Sequence, residues 1–211
     1  MKTFDASLYF ITDSTGFDEA EFLRRTEEAL KGGVTFLQLR EKDKSTREYM
    51  QLAEKVHALT KQYGVPLIID DRLDVAMAID AEGVHLGQSD LPVHIARSIW
   101  GKEKIIGATA KTVEQAKEAY EQGADYLGVG AIFPTTTKVK TILTSTDTLC
   151  DICKAVPIPA NAIGGLNKEN IEVLKGIPIA GICVVSAIMK AESPKQAAIE
   201  LRQAMKDILA M

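Results

Sequence analysis

The sequence predicts an α/β fold, a single (β/α)8 barrel that occupies residues 1–211. Two observations support this prediction. First, short apolar runs alternate eight times with amphipathic runs, and no linker or change in composition interrupts them. Strict alternation requires parallel strands with helical crossovers, and eight units in a chain of this length suit closure into a barrel. Second, polar residues gather where the predicted strands end, which is where such barrels carry their chemistry.

The rival fold is a doubly wound open sheet. That fold typically has a glycine-rich phosphate loop after its first strand. Residues 12–17 read Thr-Asp-Ser-Thr-Gly-Phe and lack this fingerprint. The barrel is therefore the better prediction.

The strands are predicted from short runs that are rich in apolar, β-branched and aromatic residues. They are residues 8–12, 35–39, 66–70, 83–87, 105–109, 126–130, 158–163 and 181–185. The helices follow from apolar residues at helical spacing. They are residues 18–31, 45–63, 73–79, 91–100, 112–122, 147–155, 168–175 and 194–209. Ser45 with Glu48, and Thr112 with Gln115, have the spacing of a capping box.

Composition excludes several classes of function. The net charge is -4 with both signs interspersed, so no long-range field would gather nucleic acid, and any anion site must be local. The amino terminus lacks the pattern of a signal peptide, and no apolar stretch reaches membrane-spanning length. We therefore expect a cytoplasmic protein with no nucleic-acid or membrane partner. The oligomeric state is left open, with a homodimer among the options.

The three cysteines do not form a disulfide framework. Cys150 and Cys153 have the C-x-x-C spacing, but further zinc ligands are absent nearby and no strand leads into the motif as in a redox site. Free cysteines are often simply buried. We expect reduced thiols in a helix.

The first candidate site follows the second strand. Gln38, Arg40 and Lys42 are two residues apart, so in an extended chain they project from one face. Two cations at the end of a strand suit a polyanion, because Arg offers a planar fork to phosphate and Lys a compact charge. The alternative is an ordinary solvated strand end, in which Glu41 neutralises its neighbours.

Carboxylates end the next two strands. Asp70 and Asp71 follow the third strand and Asp90 follows the fourth, so they should lie beside the two cations. They could pair with those cations or hold a hard divalent ion that bridges them to phosphates, and Mg²⁺ takes only one or two protein carboxylates. Asp71 and Asp90 fit that pattern, although helix capping is an alternative for both. We interpret His85 as packing or hydrogen bonding within the barrel wall.

A second anion site is predicted after the last three strands. Gly164 and Gly165 follow the seventh strand, and Val185 and Ser186 follow the eighth. Loops in these places, with backbone N–H groups at a helix start, form the recurrent phosphate site of these barrels. The loop after the sixth strand adds hydroxyls and one cation, from Thr135, Thr136, Thr137 and Lys138.

These motifs together resemble those of the thiamine-phosphate synthase family. The matching segments are Gln-Leu-Arg-Glu-Lys at 38–42, Asp-Asp-Arg at 70–72, Gly-Val-His-Leu-Gly-Gln-x-Asp at 83–90, Pro-Thr-x-Thr-Lys at 134–138, Ile-Gly-Gly at 163–165 and Val-Ser-Ala-Ile at 185–188. Six motifs in order on the corresponding strand ends are specific. The resemblance implies a (β/α)8 barrel that joins a pyrimidinylmethyl diphosphate to a thiazole phosphate and releases pyrophosphate.

The resemblance also implies roles for individual residues. The pyrimidine diphosphate would contact Gln38, Leu39, Arg40, Glu41, Lys42, Asp70, Thr109 and Lys138. The thiazole phosphate would contact Thr135, Thr136, Thr137, Gly165, Val185 and Ser186. Asp71 and Asp90 would bind Mg²⁺, and Arg40, Lys42 and Lys138 would act as catalytic cations that absorb the charge of the leaving pyrophosphate.

The chain departs from the family pattern at three places. Asp70 stands where the family usually has Asn, Thr109 stands where it usually has Ser, and the loop after Lys138 lacks the usual glycine. Two other functions stay open. One is a related thiazole tautomerase, for which Arg40, Lys42, Asp71 and Asp90 would be surplus. The other is a non-catalytic sensor of thiamine phosphate or a precursor.

Overall fold

The computed structural model describes residues 3–135 and 142–210, and in these ranges the chain forms a closed barrel of parallel strands in sequential order. The strands are β1 Leu8–Ile11, β2 Phe36–Leu39, β3 Leu67–Asp70, β4 Gly83–Leu86, β5 Ile105–Ala110, β6 Tyr126–Gly130, β7 Ala160–Ile163 and β8 Gly181–Val184. Leu8 pairs with Ile182, so β1 and β8 close the barrel. The predicted (β/α)8 fold is confirmed.

The α-helices alternate with these strands. They are α1 Glu19–Lys31, α2 Thr46–Tyr63, α3 Leu73–Ala78, α4 Val93–Trp100, α5 Val113–Glu121, α6 Thr146–Ala155, α7 Ser186–Met189 and α8 Pro194–Leu209. A 3₁₀ helix, Ile171–Leu174, lies between β7 and β8. No helix in the described ranges is both long and apolar enough to cross a membrane.

Apolar side chains on both faces of the strands build two layers of core. Outward residues such as Leu8, Phe10 and Leu37 pack against the helices. Inward residues, among them Tyr9 and Tyr126, form a smaller cluster inside the barrel. Because side chains alternate along a strand, each inward set continues toward the carboxyl end and places its last members at the mouth of the barrel.

One predicted helix is wrong and one helix was not predicted. Residues 168–175 form only a single 3₁₀ turn, because Asn170 turns its side chain back onto the preceding loop. Its Oδ1 accepts from the N–H of Asn167 and its Nδ2 donates to the carbonyl of Gly165. The short helix α7, which begins at Ser186, gave no periodic signal because it spans a single turn.

The predicted capping boxes have different outcomes. At the start of α2, Ser45 and Glu48 bond reciprocally, as expected. At α5, Thr112 accepts from the N–H of Gln115, but the Gln115 side chain accepts from the N–H of Lys111. The second box is therefore half formed.

The free thiols of Cys150 and Cys153 both lie in α6, in agreement with the prediction. Both are half-buried, and burial raises the pKa of the Cys153 thiol to about 11. Cys183 is buried inside the barrel. The low acidity of Cys153 suits an inert thiol.

Candidate active site

The end of β2 directs Gln38 and Arg40 into the barrel mouth. Gln38 is 2% exposed and belongs to the inward set of β2 with Phe36. Leu39 points to the other side, where it packs in the outer core, and its carbonyl accepts from the hydroxyl of Tyr49 at 2.7 Å. The side chain of Leu39 is therefore directed away from the mouth.

Glu41 does not neutralise Arg40 and Lys42. Its carboxylate accepts from the hydroxyl of Ser14 at 2.8 Å and lies 3.7 Å from the ammonium of Lys44, while its side chain is only 5% exposed. Burial raises the pKa of Glu41. Glu41 thus fastens the loop between β1 and α1 to the segment after β2, and the solvated strand end with internal neutralisation is wrong in this detail.

The cations Arg40 and Lys42 pair with the end of β3 instead. Lys42 Nζ lies 2.8 Å from Oδ2 of Asp70 and also donates to Asp71, while Arg40 Nε lies 3.7 Å from Asp70. Arg72 turns away and pairs with Asp74. A cleft of about 420 Å³ opens beside this cluster, between the β1–α1 loop and the segment after β2, and Arg40 and Lys42 line it.

The three carboxylates differ in their affinity for protons. Burial and the neighbouring charge of Asp71 raise the pKa of Asp70 to about 6, although Lys42 and Arg40 act against this. Burial acts in the same direction on Asp71, but the hydrogen bond from Lys42 outweighs it and lowers the pKa. For Asp90, burial and the hydrogen bond with Asp71 raise the pKa. Negative charge at this cluster is therefore only partly compensated by the protein.

Neither Asp71 nor Asp90 caps a helix. The N-cap of α3 is Arg72 and that of α4 is Pro92, and neither helix has a side-chain cap. Asp90 Oδ2 instead accepts from the N–H of Gly87 at 2.7 Å, within the turn after β4. Asp71 has a φ of 60°, in the left-handed region. The helix-capping alternative is wrong for both residues.

Asp71 and Asp90 suit a divalent cation. Their carboxyl groups interact with each other, and two like charges placed close together favour protonation unless a cation separates them. The ammonium of Lys42 already acts as such a cation toward Asp71. Two carboxylates are a donor set that Mg²⁺ accepts when water and substrate oxygens complete its shell.

The end of β5 brings Thr109 to the same mouth. Its hydroxyl lies 3.0 Å from Nε2 of His85, which projects inward from β4. Its carbonyl accepts from the side chain of Gln88 at 2.6 Å. His85 is thus hydrogen bonded within the barrel, as predicted.

The glycines after β7 lie where the second anion site was predicted. Gly164 and Gly165 have φ values of 104° and 63°, which a side chain would strain. A Cβ on Gly165 would lie 2.7 Å from the carbonyl oxygen of Pro134, so the loop after β6 packs directly on this turn. Thr135 is half-buried at the end of the described part of that loop.

The other members of this predicted site are partly visible. Val185 and the exposed Ser186 lie where β8 passes into α7, on the same rim as Gly165. Thr136, Thr137 and Lys138 lie outside the described residues. The structure therefore gathers the predicted residues that it describes on one end of the barrel, except for the side chain of Leu39. Glu41 lines the cleft beside Arg40 and Lys42.

Comparison with known proteins assigns the chain to a family. A sequence model described as thiamine monophosphate synthase matches residues 8–188. The chain is 54% identical over 185 residues to thiamine-phosphate synthase 2 of Streptococcus pneumoniae, with 88% of each chain covered. It is 48% identical to the thiamine-phosphate synthase of Methanobrevibacter smithii, with 98% of each covered. The chain belongs to the thiamine monophosphate synthase family.

A solved structure supports the same assignment. The thiamine phosphate pyrophosphorylase from Pyrococcus furiosus superposes with a TM-score of 0.89 at 40% identity, over 97% of this chain and 98% of that one. A 3-hexulose-6-phosphate synthase, at 16% identity and a TM-score of 0.72, shares the fold alone. The thiamine monophosphate synthase family acts in thiamine biosynthesis, and its synthases are transferases.

Two polar residues in the interior of the barrel were not singled out from the sequence. Tyr9 and Tyr126 were read only as parts of strands, yet their hydroxyls meet 2.8 Å apart inside the barrel. Alternation along β1 and β6 would have predicted that both point inward. Their contact depends on the closure of the barrel, which no local pattern encodes.

Proposed function

We propose that the chain condenses 4-amino-2-methyl-5-(diphosphooxymethyl)pyrimidine with a thiazole phosphate, and that it does so with Mg²⁺. The observation that carries this proposal is that two unlike groups of residues lie on one barrel mouth. A cluster of cations and carboxylates lies at β2, β3 and β4, and a glycine turn lies at β7. Two anionic substrates could then meet above the barrel axis.

The cationic side suits the diphosphate. Arg40 is a half-buried guanidinium and Lys42 an ammonium, and both lie within 4 Å of Asp70 at the cleft. Departure of pyrophosphate generates negative charge, and preorganised cations stabilise the transition state in which it develops. We assign this role to Arg40, Lys42 and Lys138.

Asp71 and Asp90 are the proposed Mg²⁺ ligands. Within the described ranges no three His, Cys, Asp or Glu side chains form a metal-binding group, so these two carboxylates would hold the ion together with diphosphate oxygens and water. When bound, Mg²⁺ neutralises charge on the diphosphate and makes it a better leaving group. Asp70 lies beside them and holds Lys42 and Arg40 in the mouth.

Loss of pyrophosphate leaves a carbocation that the electron-rich aminopyrimidine stabilises, and the thiazole nitrogen captures it. This route needs no side-chain nucleophile. The protein contributes chiefly juxtaposition, which can remove about 7 to 11 kcal/mol of barrier when the reacting groups are held in line. Gln38 and Thr109 would contact the pyrimidine ring from opposite sides of the mouth.

The glycine turn suits the thiazole phosphate. Gly165 has no side chain to cover its backbone at the rim, and Ser186 adds an exposed hydroxyl at the start of α7. Val185, Thr135, Thr136 and Thr137 complete the proposed contacts. Hydroxyls and N–H groups bind a phosphate without adding a competing cation.

Pyrophosphate release is the deciding measurement. We expect release and formation of thiamine phosphate only when both substrates and Mg²⁺ are present. A thiazole tautomerase would leave the cations Arg40 and Lys42 without a partner substrate, and it should not bind inorganic pyrophosphate in calorimetric titration. A sensor would bind the ligands without turnover, so the absence of synthesis under every condition would favour that function. A cytoplasmic location and a homodimer stay predictions.

A further inference from the structure

A continuous chain of polar side chains crosses the interior of the barrel. Gln38 Nε2 donates to the hydroxyl of Tyr9 at 2.7 Å, and that hydroxyl lies 2.8 Å from the hydroxyl of Tyr126. Tyr126 in turn lies 3.1 Å from Nδ1 of His85, whose Nε2 lies 3.0 Å from the hydroxyl of Thr109. Four hydrogen bonds thus connect β2 to β5 through β1, β6 and β4.

Two glycines leave space for this series of hydrogen-bonded side chains. A Cβ on Gly107 would lie 2.1 Å from Cζ of Tyr126 and 2.4 Å from its hydroxyl oxygen. A Cβ on Gly128 would lie 3.3 Å from Cε1 of His85. Both glycines occupy inward positions, Gly107 on β5 and Gly128 on β6. The ring of Tyr126 reaches His85 only because position 107 has no side chain.

Both tyrosines keep their protons at neutral pH. Tyr9 and Tyr126 are at most 1% exposed, and burial raises the pKa of each above its ordinary value. Each hydroxyl therefore supplies one hydrogen and accepts another. A series in which every group donates to one neighbour and accepts from the other has two possible orders.

In the first order, every hydrogen points from β2 toward β5. The amide of Gln38 donates to Tyr9, Tyr9 to Tyr126, Tyr126 to His85, and Nε2–H of His85 to Thr109. This order leaves Oε1 of Gln38 as an acceptor and the hydroxyl hydrogen of Thr109 as a donor. In the reverse order the amide is rotated by half a turn. Gln38 then presents its Nε2 hydrogens as the donor, and Thr109 presents its hydroxyl oxygen as the acceptor.

We propose that Tyr9, Tyr126 and His85 are positioning residues that couple the Gln38 amide to the Thr109 hydroxyl and so select an aminopyrimidine over an oxopyrimidine. An aminopyrimidine offers an amine hydrogen and a ring nitrogen acceptor, which match the first order. An oxopyrimidine offers a carbonyl oxygen and a ring N–H, which match the reverse. The Gln38 amide has the orientation of the first order, with Nε2 toward Tyr9. The inference rests on the proposed function for the identity of the substrate.

The coupling gives the discrimination its strength. If the ends were independent, Gln38 could turn its amide and Thr109 its hydroxyl to suit either ring at little cost. The two ends are joined through the buried hydroxyls of Tyr9 and Tyr126. Neither end can turn without reversing the links at these hydroxyls, because a single reversed link there leaves a buried hydrogen without an acceptor. The wrong ring must therefore accept an unsatisfied polar group or reverse the whole chain.

The variant Tyr126→Phe breaks the chain at its middle and removes neither end group. We expect the ratio of kcat/KM for the aminopyrimidine diphosphate to that for its 4-oxo analogue to fall about tenfold, while the KM for the thiazole phosphate is unchanged. Tyr63→Phe is the matched control, because it removes a hydroxyl that bonds Glu27 on the outer helices. An unchanged ratio in folded Tyr126→Phe would overturn the proposal.

A second measurement needs neither a variant nor turnover. Nitrogen-15 NMR of histidine side chains reports which ring nitrogen carries the proton. His85 is expected as the neutral Nε2–H tautomer in the free wild type, and Tyr126→Phe, where it folds, should lose that preference. Finding the Nδ1–H tautomer in the wild type would overturn the assigned order. Because this readout is independent of catalysis, failure of the proposed function would appear separately, as absence of thiamine phosphate with any pyrimidine.

Discussion

Lys42 donates from Nζ to Oδ2 of Asp70 at 2.8 Å, across the gap between the segment after β2 and the end of β3. Asp70 is 7% exposed. The Asp70 carboxylate therefore binds Lys42, whose ammonium must contact the diphosphate in the proposed reaction. Arg40, with Nε 3.7 Å from the same oxygen, is held in the same way.

Asp70→Asn should strengthen binding of the pyrimidine diphosphate. Removing the charge frees Lys42 and Arg40 for the substrate and also removes a repulsion, so we expect KM to fall about fivefold, in line with roughly 1 kcal/mol for a partly exposed ion pair. The gap between wild type and variant should narrow as Mg²⁺ is raised. The measurement is a titration of the diphosphate at several Mg²⁺ concentrations.

Asp74→Asn is the control for this change. It breaks the ion pair with Arg72, which lies away from Lys42 and is more exposed. Its KM should equal that of the wild type. Equal affinities of wild type and Asp70→Asn across the Mg²⁺ titration would remove Asp70 from the substrate site.

Asp90→Asn should abolish most of the activity and leave the fold intact. An Asn oxygen can still accept from the N–H of Gly87, so the turn after β4 is kept, whereas the charge that we assign to the metal is lost. We expect kcat/KM to fall about 100-fold or more, as loss of a ligand to a catalytic ion would cause. Thermal unfolding and thiazole phosphate binding should change little.

Excess EDTA provides the parallel test on the wild type. Asp80→Asn serves as the surface control, because Asp80 is exposed and pairs with Lys104. Undiminished synthesis of thiamine phosphate in EDTA would contradict the metal role of both Asp71 and Asp90.

Gly165→Ala should weaken thiazole phosphate binding more than it weakens the fold. A Cβ there would lie 2.7 Å from the carbonyl oxygen of Pro134 and would cover the backbone that we assign to the phosphate. Its φ of 63° also costs about 1 kcal/mol with any side chain. We expect the KM for the thiazole phosphate to rise first, as measured by steady-state kinetics.

Gly64→Ala is the control that separates backbone strain at a positive φ from the contacts of the added Cβ. Gly64 has nearly the same φ, 65°, but a Cβ there meets nothing within 4 Å. The two variants should therefore share the conformational cost, and only Gly165→Ala should alter KM. Identical kinetics for both would mean that the turn after β7 does not approach the phosphate.

Much of this architecture could be read from the sequence because it depends on local periodicity. Alternation along β2 predicted that Gln38 and Arg40 share a face, and the short apolar runs predicted all eight strands. The partner of Lys42 could not be chosen from the sequence, since Glu41 is its neighbour in the chain while Asp70 and Asp71 end the adjacent strand. The folded structure decides between them, because the Glu41 carboxylate is buried and accepts from the hydroxyl of Ser14.

Contacts across the barrel were beyond local reasoning for a different reason. Tyr9 and Tyr126 are 117 residues apart, and their strands are not neighbours in the sheet. Only the width of the closed barrel brings the two hydroxyls together. The helix expected at 168–175 failed because the side chain of Asn170 offers the backbone a better local partner, which apolar periodicity does not register.

Glu41→Gln should make the protein more stable at neutral pH. Burial raises the pKa of Glu41 in the folded state, so the folded protein holds that proton more tightly than the unfolded chain does. This contribution to stability is fully present below the unfolded pKa of about 4.3 and is lost as pH rises through the raised folded value. Gln stays neutral and keeps an oxygen for the hydroxyl of Ser14, so the variant avoids that loss.

The measurement is the melting temperature of both proteins at about pH 4 and about pH 7. Glu48→Gln is a control of opposite sign, because hydrogen bonds from Ser45 lower the pKa of Glu48. Its carboxylate stabilises the folded state above the unfolded pKa, so that variant should lose stability relative to the wild type as pH rises. The opposite result would be a melting temperature of the wild type that rises relative to that of Glu41→Gln as pH increases over the same range. In that case the attraction between Glu41 and Lys44, which lie 3.7 Å apart, would outweigh the burial of the charge.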